Sequence, residues 1–460
     1  MTGDTNAGES VWPQGLRNRR HGTARDLPLA RRGGFVSIDD MRSVDVIVLG
    51  AGITGVSVAL HLQARGWRVC LVDDFAPGEV SSRGNSGLLA RTGFTPLDVP
   101  QGAMDILARL FSRSGGMRIE ARALPALRRF LKAARVETSS LNVPRHARAL
   151  APLQAAAIAE HLAIARAASA FRFFRRTGWI KIYRTAASHQ ASEVERHFAR
   201  IVGIPYEDLD DARLARLEPD IRGRILAAVH WPDSQSVSSP GGVTKAYARL
   251  FRERGGEIVT GDPGALSQAW SNWTVPTAHG EIAAEQAVLA LGSGTLPLLH
   301  RFGLALPLAT LRNRHGHFRP VSGVSLSRPV SDVDGGFLMT PMERGIRLIG
   351  DEELTAGQNE PADEIRSAGF ERQATCARAL IPLGSAVEDV PVIGHRVLTP
   401  DGLPVLGPVP GGPGLWMALG HGADGFSLAP AMGRLLSEMM SGDPAFVDPV
   451  PFTPARLLVG

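Results

Sequence analysis

Apolar and polar positions change period at a few sharp places along the chain, and those changes predict its elements. Val44-Asp-Val-Ile-Val-Leu49 is a nearly continuous apolar run of strand length that stops at Gly50. From Ile53 apolar residues recur at helical spacing to about Arg65, and Gly66 ends the run. Arg68-Val-Cys-Leu-Val72 then predicts a second strand ending on Asp73-Asp74. Leu150 to Ala170 is alanine-rich and predicts a helix, Phe171 to Tyr183 reads as strand, and Ser192 to Val202 as another helix. Ser239-Pro240-Gly241-Gly242-Val243 opens a helix with Ala246, Leu250 and Phe251 on its apolar side and Arg249, Arg252 and Glu253 on its polar side. Gly255-Gly256 separates it from the strand Glu257-Ile-Val-Thr260. Two further buried-type strands, Gln286 to Leu291 and Leu415 to Leu419, run into glycines, and a last helix is expected from about Phe426 to Met440. Alternation of strand and helix makes this an α/β chain.

The first forty residues stand outside this pattern. They are rich in Arg, Gly and Asp, lack the apolar stretch of a signal peptide, and are expected to be a disordered tail ahead of Met41. No run of 18 or more apolar residues predicts a spanning helix. Met104 to Arg135 alternates arginines with Leu, Ile and Phe; that is either a basic face for a membrane surface or, more simply, the solvated face of a packing helix.

Composition narrows the class. With 44% hydrophobic and 21% charged residues the chain can bury a core, and 460 residues leave room for more than one domain. The net charge of +5 comes from residues scattered among acids, so nucleic acid is not an expected partner. Two cysteines, Cys70 and Cys376, are too few for a disulfide framework, which favours a reducing, cytoplasmic setting. The thirteen histidines are scattered, and no metal site is expected.

Gly50-Ala51-Gly52-Ile53-Thr54-Gly55 lies between the first strand and the first helix, as a dinucleotide turn requires. Gly50 permits the tight turn, Gly52 lets a pyrophosphate approach the backbone, and Gly55 lets the helix pack close to the sheet. Unpaired amides and a positive dipole end at the helix start face the phosphates. Asp73 follows Gly50 by 23 positions, near the spacing of about 20 at which a carboxylate accepts from ribose hydroxyls. An acid there disfavours a 2′-phosphate, but the motif does not separate NAD from FAD. Ser81 to Leu89, small, polar and glycine-containing, suits a backbone wrap around phosphate and ring where an NAD unit would turn into another helix; an ordinary surface loop is the alternative.

With Ser82, Asn85 and Gly87 in the order Ser-x-x-Asn-x-Gly, this opening resembles the FAD-dependent oxidoreductases of the D-amino-acid oxidase superfamily, within it the bacterial D-amino-acid dehydrogenase and glycine oxidase branch. Later segments carry the same resemblance. They are the helix and strand after Ser239, with Val259 near the adenine side, the strand ending at Gly292, and Gly394-His395-Arg396-Val-Leu-Thr399-Pro400-Asp401-Gly402 near the C-terminus. After these come Gly420-His421-Gly422-Ala423-Asp424-Gly425 and a helix. The resemblance covers nearly all of Val44 to Met440 and implies FAD, held by Gly50 to Gly55, Asp73, Asp74, Ser82, Asn85, Gly87, Val259, Gly292, Gly394, Gly420, Gly422, Ala423 and Gly425. Two departures stand out: Val397 replaces the usual proline after Arg396, and in Pro307 to His317 either Asn313 or Gly316 stands for the family's glycine.

What the resemblance implies for activity is hydride transfer from the Cα–H of a small amino acid, a D-amino acid first, to flavin N5, with a 2-oxo acid and ammonia as products. Arg396 is the expected carboxylate clamp, its planar donors suited to that task, with Arg314 and His317 as further pocket candidates. A glycine or sarcosine oxidase using oxygen and a catalytically silent flavin-binding subunit are the alternatives. The electron acceptor is a quinone or oxygen, and peripheral contact with the inner membrane accompanies the quinone option. Covalent flavin is not expected, because Arg83 occupies the loop where some relatives carry histidine. The expected architecture is a Rossmann-like FAD-binding domain (44–95, 232–306 and 386–460) interleaved with an α+β, mixed-sheet substrate domain (96–231 and 307–385), after a disordered extension over 1–43.

Overall fold

A sheet built around parallel strands and a larger mixed sheet organise the chain. The computed structural model describes residues 42–458 apart from 93, 96, 112–116 and 358–367, so the extension expected over 1–43 lies outside the described residues except for Arg42 and Ser43, which open the first strand. In the first sheet Glu257–Thr260, Val69–Asp73, Arg42–Leu49 and Gly280–Leu289 lie side by side in parallel. Gly280–Leu289 changes partner along its length. Its first residues pair antiparallel with Asn272–Thr277, and Ala287, Val288 and Leu289 pair in parallel with Leu415–Leu419. The parallel strands are continuous apolar runs because both of their faces are covered.

On one face lie the helices Ile53–Gln63, Val143–Ala167, Pro240–Glu253 and Gly425–Ser441. Ile53–Gln63 is buried nearly all round, which matches its lack of a polar stripe. Gly425–Ser441 lies directly against it: a Cβ at Gly433 would stand 2.8 Å from the Ser57 carbonyl carbon, so the two backbones touch. Pro430, inside that helix, has no N–H for the Phe426 carbonyl one turn earlier. His161 Nε2 takes its place at 2.7 Å, and the Tyr247 hydroxyl donates to the His161 carbonyl at 2.7 Å. One histidine thus ties three helices together.

The second sheet has ten strands, centred on Ala309–Pro320 and Gly345–Thr355 and reaching outward through Phe337–Met342, Val330–Asp332, Trp179–Tyr183 and Ala227–Trp231. One of its faces covers an apolar core with the helix Ala368–Leu380. Val392–Leu398 pairs with Ala309–His315, so the expected nucleotide block 386–460 divides: 392–398 belongs to the second sheet and 405–419 to the first. The region 104–135, read as one stretch, holds two described helices, Ala103–Phe111 and Leu124–Glu137. Among the described residues no helix is long and apolar enough to cross a membrane.

Two measurements check this packing. Gly433→Ala forces the two helix backbones apart and is expected to cost about 1–3 kcal/mol, read as a lower thermal midpoint; an unchanged midpoint would show that the helices do not touch there. Burial pushes the His161 pKa down to about 4. Its folded value lies below the ordinary one near 6.5, so the unfolded chain binds the extra proton and stability falls as pH drops from about 6.5 to about 4, by about 2–4 kcal/mol for this group. His161→Gln, which keeps a donor for Phe426, should remove that share of the acid loss in denaturant titrations. Parallel pH curves for the two proteins would contradict the assignment.

Candidate functional site

The turn after the first strand opens onto a cavity of about 300 Å³ that runs between the two sheets. Gly50 has φ +109°, and a Cβ there would stand 2.5 Å from the Ala290 carbonyl oxygen, so only glycine fits. Gly55 has no room for a Cβ because the Gly50 carbonyl lies against it, which sets the closeness of helix to strand. Gly52 differs: the nearest neighbour of its missing Cβ is Ser82 Oγ at 3.7 Å, leaving open space over the backbone. Gly50, Ala51, Gly52, Ile53 and Thr54 line the cavity, whereas Gly55 supports it from beneath.

Asp73, at the end of the second strand, accepts from Ala51 N at 2.5 Å and Phe75 N at 3.0 Å, and lines the cavity with Asp74. Burial, with the neighbouring Asp73 carboxylate, pushes the Asp74 pKa up to about 6. Ser82 and Asn85 also line the cavity. Ser82 Oγ accepts from Ile53 N at 2.9 Å, pinning the loop to the helix start. Asn85 Oδ1 accepts from Gly87 N at 2.9 Å, and Gly87, with φ +71°, is clipped to the strand Gln235–Val237 outside the lining. Val259 pairs with Val72 in the sheet and does not reach the lining.

The far end is built by the second sheet and the C-terminal turn. Gly292, Gly394, Arg396, Gly420, Gly422 and Gly425 line it, while Ala423 is exposed on the same turn. Arg396 is 15% exposed, with Glu352 Oε1 at 3.5 Å. With the Asn313 carboxamide oxygen turned toward it, Asn313 accepts from Arg396 Nη2 at 2.9 Å and Nε at 3.2 Å. Asn313 lies opposite Gly394 in the ladder, which selects it over Gly316 as the residue facing the cavity.

Arg314 and His317 are not brought to this cavity. A bulge at Arg312–Arg314 and the alternation of the strand send Arg314 to Asp351 at 2.7 Å and Arg312 to Glu353, both buried. His317 donates from Nδ1 to Glu388 Oε1 at 2.8 Å, on the far side of the Ser82–Gly87 loop.

Sequence reasoning missed His421 and Gly84 as contributors and named Asn313 only as one of two stand-ins for a glycine. His421, in the C-terminal turn, lies 3.3 Å from Thr54 Oγ1, and burial lowers its pKa to about 4, so it is neutral. Gly84 has no room for a Cβ because His315 Cε1 would be 2.7 Å away, and Asn313 orients Arg396. The glycines beside His421 were the available signal for the first; the other two depend on strand register, which no local pattern encodes. Asp424, next to His421, has its pKa pushed up to about 6 by burial, against the opposing pull of Arg396 and Lys181.

A long cleft has thus an acid at one end, open backbone over Gly52, and a cation at the other. Those features fit a flavin dinucleotide: Asp73 for ribose, the start of the Ile53–Gln63 helix for phosphates, and the glycine turns at 292 and 420–425 for the ring system. Comparison with known proteins agrees. The family model described as FAD dependent oxidoreductase (DAO) matches residues 45–439. A D-amino acid dehydrogenase of Sinorhizobium medicae is 28% identical over 433 residues, covering 89% of this chain and 99% of the relative. A D-amino-acid oxidase of Bradyrhizobium diazoefficiens is 27% identical, covering 90% and 99%. Among solved structures, glycine oxidase from Geobacillus kaustophilus aligns with a TM-score of 0.65 at 21% identity, over 90% of this chain and 98% of that one, and shares the fold. Because the matched span includes the dinucleotide turn, the Ser82–Gly87 loop and the C-terminal glycine turn that meet on this cavity, the chain belongs to the family of FAD-dependent oxidoreductases.

Proposed function

We propose that the enzyme oxidises the Cα–N bond of a small amino acid, with D-amino acids first among the substrates. The observation that carries the reading is Arg396, a cation at the ring end of the cavity, oriented by Asn313. The matches to a D-amino acid dehydrogenase and a D-amino-acid oxidase over nearly their whole length support the substrate class. When bound, FAD supplies a hydride acceptor, N5, for the Cα–H of an amino acid whose amine is deprotonated, and the released imino acid hydrolyses to a 2-oxo acid and ammonia. The chain's own work is orientation and electrostatics. Arg396 clamps the carboxylate through paired donors, and Asn313 fixes the plane of the guanidinium so that little entropy is lost on binding. Neutral His421 and the C-terminal turn would present dipoles rather than a full charge to a bound flavin.

Anaerobic mixing with a panel of D-amino acids, their L-forms, glycine and sarcosine should bleach the flavin band near about 450 nm with at least one D-amino acid. Lack of bleaching by any amine would leave a silent flavin protein instead. Re-aeration of the bleached enzyme then reads the acceptor: stoichiometric peroxide identifies an oxidase, and slow recolouring restored by a quinone identifies a dehydrogenase.

Arg396→Ala is expected to raise KM about 100-fold with a smaller change in kcat, and Arg396→Lys to recover part of that loss. An unchanged KM would remove Arg396 from substrate binding. Asn313→Ala should raise KM about 10-fold as a positioning defect, with Arg396 still present.

A further inference from the structure

A second pocket, of about 400 Å³, lies behind the Ser82–Gly87 loop. It shares Gly78 and Glu79 with the nucleotide cavity and is otherwise separate from it. Its floor is the start of the helix Pro240–Glu253, where Pro240 occupies the first turn and Ser239 makes no capping hydrogen bond through its side chain. Such a helix start presents unpaired amides and a positive dipole end.

Among the side chains around it cations outnumber acids. Arg83, Lys245, Arg344 and Arg347 line the pocket against two carboxylates, Glu79 and Glu343. Glu79 already pairs with Arg83 and Lys245, and Arg344 pairs with Glu388. Arg347 is different. It is 5% exposed, donates from Nε to His317 Nε2 at 3.1 Å and from Nη1 to the Asn85 carbonyl, and forms no ion pair with a carboxylate among the described residues. Burial, with Arg344 and Arg83 nearby, pulls its pKa down to about 10 against the opposing pull of Glu388, which reaches it only through His317. Ser238, 9% exposed and also on the wall, has a buried hydroxyl with no hydrogen-bond partner. A buried guanidinium whose direct partners are neutral and an orphaned hydroxyl beside a helix start are what an oxyanion would satisfy together.

We propose that this pocket binds a phosphomonoester-class oxyanion, with Arg347, Ser238 and the start of the Pro240–Glu253 helix as its floor and Arg83, Lys245 and Arg344 as its rim. The volume exceeds what a bare phosphate ion needs, which leaves room for a small organic group on the ester oxygen. Arg347 also holds the Asn85 carbonyl of the loop that lines the nucleotide cavity, so an anion on Arg347 steadies that loop from behind. Neither the amino-acid reaction nor the clamp at Arg396 is involved.

The test is calorimetric titration of the FAD-loaded full chain, in phosphate-free buffer, with inorganic phosphate and separately with glycerol 3-phosphate. The expected result is saturable uptake of one equivalent, weakened about tenfold or more in Arg347→Gln and several-fold in Lys245→Gln and Arg344→Gln. Tighter uptake of glycerol 3-phosphate identifies a phosphorylated metabolite as the source, and equal uptake identifies free phosphate; both support the site. Absence of saturable heat up to about 10 mM, or equal uptake by the wild type and all three variants, overturns it. Lys245 and Arg344 are half-exposed, so their variants keep the question decidable if Arg347→Gln does not hold FAD.

Discussion

Everything at the nucleotide end depends on how closely the first and last helices approach each other. Gly433 sets its backbone against Ser57, and Gly55 sets the first helix against its own strand, so three backbone segments stack with no side chain between them. Only at that separation do the turns at Gly50–Gly55 and Gly420–Gly425 come to line the same cavity. Pro430 and His161 belong to the same constraint. A proline inside a tightly packed helix leaves a carbonyl unpaid by its own helix, and the fold answers from a third helix more than 260 positions earlier in sequence.

That constraint explains what was legible beforehand. The strand, turn, helix and acid from Val44 to Asp73 depend on contacts within thirty residues, and the glycine spacing states each conformational demand directly. Of the eight helices or strands foreseen outside this unit, the limits moved by a few residues where local pattern was clear, as at Glu193–Ile201 and Gly425–Ser441. Leu150 to Ala170 was extended backward to Val143 because Pro152 sits on the exposed side of the helix, where its missing donor faces water. Motifs at both ends of the chain showed that distant segments share one sheet, as Arg42–Leu49 and Leu415–Leu419 do on either side of Gly280–Leu289. The membership of Val392–Leu398 in the second sheet was not visible, since it rests on pairing with Ala309–His315, some eighty residues away.

The reacting end was the least legible part for a definite reason. Ala309–Pro320 is a central strand whose bulge shifts the alternation, so which residues face the cavity cannot be counted from either end. Asn313, rather than Arg314 or His317, takes the inward position. An asparagine there puts a carboxamide oxygen where it can hold Arg396, a task for which a glycine would have no side-chain atoms.

Arginine is abundant in this chain, and the fold sorts its buried copies by what neutralises them. Arg312 and Arg314 face Glu353 and Asp351 across the ladder, and those pairs spend their charge on each other within the sheet. Arg396 has a neutral carboxamide as its close partner and a carboxylate only at 3.5 Å. Arg347 has a histidine nitrogen and a backbone carbonyl. A cation held in place by neutral acceptors is oriented without being neutralised, so its field remains available to an incoming anion. By that criterion the same sheet that buries two arginines as structure leaves two others as the candidate binding groups, one on each side of the loop from Ser82 to Gly87.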